Sequence, residues 1–244
     1  MISLTFDQWK ERVAGNVALD LPEIEPMQYA GPPLCVCATG PSLRRYMGNL
    51  KRLHRSGAQV MALNRAYPFL ISQGIVPDYV VVMDPGDMLE AVTPAHPHPL
   101  HLLASQVHPE VFNYLRDCKV AIWHAHNAGW EKWPEHPAGR IMVEGATVGI
   151  NSLYLAAMLG RFDCHMFGFD GYHRGGKRHF RNQAGDANFH GAKIEYAGKS
   201  YVTDYHLQWQ AAQLGQLKRR HGNKFNLTFH GRGLLSEIWQ KEAA

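Results

Sequence analysis

No stretch of this 244-residue sequence reaches the roughly eighteen apolar residues that a membrane-spanning helix needs. The first residues, Met1 to Lys10, also lack the basic start and unbroken apolar run of a secretion signal. A cytoplasmic protein without a membrane span is the expectation. Cysteine is scarce: Cys35, Cys37, Cys118 and Cys164 fall in or beside apolar runs, with no CxxC pair. That excludes a disulfide framework and predicts reduced, buried thiols. Neither GxGxxG nor GxxxxGK[ST] occurs, which argues against a standard dinucleotide fingerprint and a P-loop. No internal repeat is present. Charge is modest as well, 19% against 45% hydrophobic residues, the balance of a folded chain. A net charge of +4 favours phosphate-bearing ligands but is too weak to assign nucleic-acid binding.

What is abundant is histidine, with fifteen residues, and a regular alternation of short apolar runs with helical patterns. Phe6, Trp9 and Val13 have helical spacing behind Thr5, so residues 1–32 read as a capped amphipathic helix and a linker packed on the core. From Pro33 onward, strands are predicted at Leu34–Ala38, Val60–Asn64, Tyr79–Asp84, His101–Ser105, Val120–Ala125, Cys164–Phe169 and Phe225–Phe229. Helices are predicted at Leu43–His54, Tyr67–Gln73, Pro109–Cys118, Val148–Leu159, Asp204–Arg220 and Leu234–Lys241. Runs such as YVVVM at Tyr79–Met83 suit strands buried on both faces. The expected fold is therefore α/β and Rossmann-like: a mostly parallel sheet with helices on both faces, one domain over 33–244. Between Gly171 and Thr203 the pattern dissolves into Gly, Arg, Lys, His and Asn, so 172–203 reads as a long basic loop or lid.

Polar groups recur where these strands end. After the first strand, Thr39, Gly40, Pro41 and Ser42 form a tight turn into a helix, whose exposed N–H groups suit an anion. Asn64 and Asp84 close the next strands, where an amide could read a base or ribose and a carboxylate a hydroxyl or hydrated magnesium; capping the helices after them is the plainer role. A second glycine-bearing helix start holds Thr147 and Gly149, and the strand after it ends in Asp170 and Tyr172. Asp170 suits a substrate hydroxyl or a general base, or else caps a turn, and Tyr172 suits a leaving phosphate. His126, at another strand end, is a better general base than metal ligand. His96, His98 and His101, like His124 with His126, have no carboxylate or cysteine at convincing spacing for a metal. The loop carries Arg174, Lys177 and Arg178, which could neutralise a departing phosphate or equally be solvated surface.

The order ATGPSL (38–43), ALNRAYPFLISQGIVPDYVVVMDP (62–85), TVGINSLYLAAMLGRFDCHMFGFD (147–170) and GKSYVTD (198–204) resembles the MptE-like family. That family groups archaeal 6-hydroxymethylpterin diphosphokinases with motility accessory factors linked to flagellin glycosylation. More distantly the chain looks like the family 42 bacterial sialyltransferases, which use a CMP-linked sugar without a metal. The likeness spans roughly Pro33 to Gly231. It implies that Thr39, Gly40, Pro41 and Ser42 hold nucleotide phosphates or ribose, with Asn64 at the base or ribose. It also implies that Asp84, Thr147, Gly149, Asp170 and Tyr172 line the reactive end. The sequence departs from these patterns at four places. Ala38 replaces the first glycine of GxGPSL, Val148 replaces a serine, Lys199 stands where the sialyltransferases have a catalytic histidine, and Asp84 lies outside a DLDG-type acidic cluster.

The leading expectation is a glycosyltransferase using a CMP- or UDP-linked nucleotide sugar, with an unidentified hydroxyl acceptor. Asp170 or His126 would take the proton, while Tyr172, the loop cations and Lys199 face the leaving phosphate. The alternative is a diphosphokinase using ATP, with magnesium at Asp84 and Asp170. A nucleotide-binding module without catalysis is the third. A nucleic-acid acceptor would meet the basic loop, which lacks interleaved aromatics. The sugar, the acceptor and the subunit number are left open.

Overall fold

In a computed structural model the described residues are 4–28, 30–86, 88–126, 142–143, 145, 147–173 and 191–242. In chain order they form α1 (Phe6–Val17), β1 (Leu34–Cys37), α2 (Ser42–Arg45), α3 (Met47–Arg55), β2 (Gln59–Leu63), α4 (Ala66–Ser72) and β3 (Tyr79–Val82). A 3-10 turn at Leu89–Ala91 leads to β4 (Leu100–Ala104), α5 (Pro109–Tyr114), β5 (Lys119–Ala125), β6 (Met142–Val143), α6 (Val148–Met158) and β7 (Asp163–Phe167). Then come β8 (Ala192–Tyr196), β9 (Lys199–Thr203), α7 (Tyr205–His221), β10 (Asn226–His230) and α8 (Leu234–Lys241). Apart from β8 with β9, the recorded strand pairs run parallel. The fold is α/β and Rossmann-like, as its alternating pattern predicts. No helix among the described residues is long and apolar enough to cross a membrane.

The chain divides into two compact units, one of Met1–Met27 with Met61–Leu159, the other of Gln28–Val60 with Gly160–Ala244. In the first, Met61–Leu63 of β2 pair with β3, and β4, β5 and β6 follow in that order. Val80, Val81, Val82, Leu102 and Leu103 are wholly buried, which explains why these strands read as unbroken apolar runs. Thr5 and Gln8 form a reciprocal capping box at the start of α1, and Trp9 and Val13 bury its inner face. The helix is also tied by polar bonds. Asn16 donates to the carbonyls of Ser105 and Val107 at 2.8 Å each, and the Trp9 indole donates to Gln106.

In the second unit the order is β10-β7-β1, with Leu34 opposite Cys164 and Phe229 opposite Met166. Burial pushes the Cys164 thiol up to about 12, so it stays a packed, neutral group. Two expectations need correction here. The predicted single helix Leu43–His54 is broken at Tyr46 (φ −105°, ψ 18°) into α2 and α3. The segment expected to be irregular to Thr203 holds a hairpin instead, β8 against β9 through Ala197 and Gly198, both with positive φ (54° and 75°). Those angles suit the tight two-residue hairpin turn. β8 is largely exposed and mixed in charge, and the positions β9 buries are Tyr201 and Thr203 rather than a run of aliphatic residues, so the apolar alternation of a half-buried strand is weak.

Candidate functional site

The turn after β1 is shaped by backbone packing around one carboxylate. Pro41 has φ −57° and Ser42 opens α2. The Ser42 backbone N–H and its hydroxyl both donate to Asp170 Oδ2 at 3.0 Å. A Cβ on Gly40 would fall 2.3 Å from that same oxygen and 2.3 Å from the Gly168 carbonyl oxygen, and one on Gly233 would fall 2.3 Å from the Asp170 carbonyl oxygen. Two glycine backbones, Gly40 and Gly233, therefore close on Asp170, which is 4% exposed. An anion does sit at this helix start, as the N–H groups there favour, but it is the protein's own. Thr39 and Pro41 remain half-buried at the rim of the turn.

Beside the turn, at the carboxyl end of β10, lies a polar hollow of about 440 Å³ lined by Tyr46, Lys199, His230, Arg232, Ser236 and Glu237, with Phe229, Gly231 and Gln240. Gly231 presses on Ser42: a Cβ there would stand 3.1 Å from the hydroxyl. His230 stacks on Phe167 with ring centroids 4.1 Å apart, and its Nε2 lies 3.1 Å from His165 Nδ1. Burial, with smaller contributions from His165 and Arg52, lowers the His230 pKa to about 4, so the ring is neutral at neutral pH. Lys199 pairs with Glu237, which raises the lysine pKa and lowers that of the carboxyl; Lys241 lies 3.8 Å from the same carboxyl group. The mouth of the hollow thus combines ammonium and guanidinium groups with a neutral imidazole and one committed carboxylate.

Tyr172 stands edge-on to Tyr201, centroids 5.4 Å apart, and the next residue, His173, donates its backbone N–H to the Val202 carbonyl. His173 Nε2 is 2.9 Å from Asp204 Oδ2, whose other oxygen caps α7 through Leu207 N–H. This pairing fixes the strand-end segment to the hairpin.

In the first unit the expected residues also gather. Asn64 adopts φ 46°, a left-handed conformation that asparagine tolerates better than most side chains. Its amide donates to Asp84 Oδ2 at 3.3 Å and accepts from Met83 N–H at 3.4 Å, tying the tips of β2 and β3. Asn151 joins them to the start of α6 by donating to the Gly145 carbonyl and to Met83 Sδ. There the Thr147 hydroxyl accepts from Ile150 N–H, and Gly149 is buried in the first turn. Asn64 and Asn151 thus act as ties and Thr147 as a helix cap, and Asn64 holds the half-buried Asp84.

His126 is exposed just past β5. His124 is buried against Glu23 at 3.4 Å, and His101 is buried against the Lys119 carbonyl, with its pKa lowered by burial. No group of three metal-ligating side chains occurs among the described residues. Arg174, Lys177 and Arg178 lie outside the described residues. The sequence reading missed His230, Arg232, Tyr46 and Glu237. Only the position of His230 at a strand's carboxyl end could have signalled one of them.

A family model described as "6-hydroxymethylpterin diphosphokinase MptE-like" matches residues 14–175, more than half of the chain. No curated protein matches. Among solved structures the chain is similar to a MAf glycosyltransferase from Magnetospirillum magneticum AMB-1, with a TM-score of 0.71 and 19% sequence identity. The likeness covers 95% of this chain and 38% of that one, so it shows the fold, and this chain spans well under half of that structure's length.

Proposed function

Because this chain belongs to the MptE-like family, we propose that it is a nucleotide-dependent group transferase and, more narrowly, a glycosyltransferase using a CMP- or UDP-linked sugar. The observation that carries the reading is the polar hollow with Lys199, Arg232 and His230 at a strand's carboxyl end, where open α/β sheets receive ligands. Its volume falls in the range of small-ligand clefts. In this reading an acceptor hydroxyl attacks the anomeric carbon, the bond from that carbon to the phosphate oxygen breaks, and the nucleotide leaves with the electron pair. Lys199 and Arg232 meet the developing negative charge. Asp170 holds the Gly40 turn in shape through Ser42, which makes it a positioning residue. The acceptor's proton passes to solvent, and Tyr172 is retained as a donor to the phosphate.

The family's own description favours a second reading, transfer of the β and γ phosphates of ATP. Magnesium is commonly held by one or two carboxylates together with substrate phosphates, so Asp84, already oriented by Asn64, fits as its protein ligand. Bound there, the ion would supply charge neutralisation on the phosphates.

The test is to incubate the protein with CMP- and UDP-sugars and with ATP, with and without EDTA, and follow the nucleotide produced. Release of CMP or UDP that survives EDTA supports sugar transfer. AMP formed only with magnesium supports the kinase reading. Failure of all these nucleotides to bind sinks both. Lys199→Gln with Arg232→Gln should cut release by tenfold or more, about 1.4 kcal/mol in the barrier.

A further inference from the structure

One surface is used by none of this chemistry: the outward face of α7. Tyr205 is 70% exposed and Trp209 47% exposed, although both are large aromatics. Their rings lie 5.8 Å apart, and His206 adds a third ring 5.7 Å from Tyr205. Exposure here is not looseness. The opposite face of the helix buries Leu207, Ala211, Leu214 and Leu217, and its first turn is capped by Asp204.

The composition of this face is selective. From Tyr205 to Leu217 the helix carries no Asp, Glu, Lys or Arg, and its exposed stripe passes from Tyr205 and Trp209 to Ala212 and Gln216. These positions recur at helical spacing and line up along about 16 Å of helix at 1.5 Å per residue. Of the basic residues in the last turn, Arg219 pairs with Glu242 at 2.6 Å and Lys218 lies over the Trp239 ring at 4.8 Å, while Arg220 is exposed beyond Gln216, at the far end from the aromatic pair. A phosphate backbone or an anionic lipid surface would call for available cations along the stripe. A rigid aromatic pair followed by a small residue and an amide, without charge, suits a ligand with flat C–H faces and many hydroxyls. The rings offer stacking surface, and Gln216 offers a donor and an acceptor.

We infer that the Tyr205–Trp209–Gln216 face of α7 is a binding platform for a neutral oligosaccharide. The inference does not depend on the transferase reading, because its test is binding to the resting protein without nucleotide. The full chain would be titrated by calorimetry with cellohexaose, chitohexaose and maltohexaose at low and high salt. At least one should bind, with little dependence on salt. Tyr205→Ala with Trp209→Ala should weaken it by tenfold or more, whereas Trp209→Phe should retain most of the affinity. Circular dichroism of the double variant checks that the helix is intact.

No binding by any of the three sugars overturns the proposal, as does binding that the double variant leaves unchanged. Salt-sensitive capture of a single-stranded oligonucleotide by the same rings would assign the face to nucleic acid instead. Self-association that the double variant abolishes would assign it to a second copy of the chain. Either result rejects the oligosaccharide.

Discussion

The two glycine-bearing helix starts, at α2 in one unit and α6 in the other, meet their exposed N–H groups by different means. At α2 the partner is a full charge brought from 128 residues away: Asp170 takes both hydrogen bonds of Ser42 under a cover of glycine backbone. At α6 it is the neutral hydroxyl of Thr147, three residues from the amide it serves. The same local pattern therefore yields a closed, charged knot in one place and a half-open, uncharged cap in the other. A helix start attracts an anion, but whether a ligand can be that anion depends on what the rest of the chain has already put there.

This contrast is sharpest at Gly40. Gly40→Ala puts a methyl group against Asp170 and the Gly168 carbonyl, and should destabilise by about 3 kcal/mol or more in urea unfolding, since backbone cannot step aside as a flexible side chain can. A cost under about 1 kcal/mol would show that the knot is loose and break the comparison. Asp170→Asn keeps the shape but removes the charge, so its two bonds weaken; about 2 kcal/mol is expected from the same measurement. In the other unit, Asn64→Ala should cost about 1–2 kcal/mol, because alanine dislikes the left-handed conformation and cannot tie Met83 to Asp84. Asn64→Gly, which relieves the backbone but not the lost bonds, should cost less than alanine if the conformation matters.

The smallest effect is a pH dependence confined to the unit that contains Asp170. His230 has its pKa lowered to about 4 from an ordinary value of 6.5. Between these values the unfolded chain binds more protons than the folded one, so stability is whole above pH 6.5 and drains as pH falls toward 4. Because the ring is only half-buried, the loss should be about 1 kcal/mol after solvent screening. His230→Gln should flatten the urea midpoint across that window. An unchanged slope would place the titration elsewhere.

Much of the fold was legible because its causes are local. Thr5 before the helically spaced Phe6, Trp9 and Val13 announces α1, and unbroken apolar runs announce strands buried on both faces. The β8–β9 hairpin was not legible, since β8 is largely exposed and β9 buries a tyrosine and a threonine rather than an apolar run. The break at Tyr46 escaped for a related reason: Tyr46 shares the half-buried lining of the hollow with His230, and no local breaker precedes it. Within each unit the expected residues did come together, Asn64 with Asp84 and Ser42 with Asp170, because each stands at the end of a parallel strand. What could not be read was who would bond to whom.

By itself the sequence determined the alternation of strand and helix, the parallel pairing that follows from it, and the polar residues at strand tips, because periodicity and local steric preference act over a few residues. Tertiary structure alone decided that Asp170 fills the Gly40 turn and that His165 meets His230 beside a cationic hollow. Those outcomes depend on register between strands far apart in the chain, which no local pattern encodes.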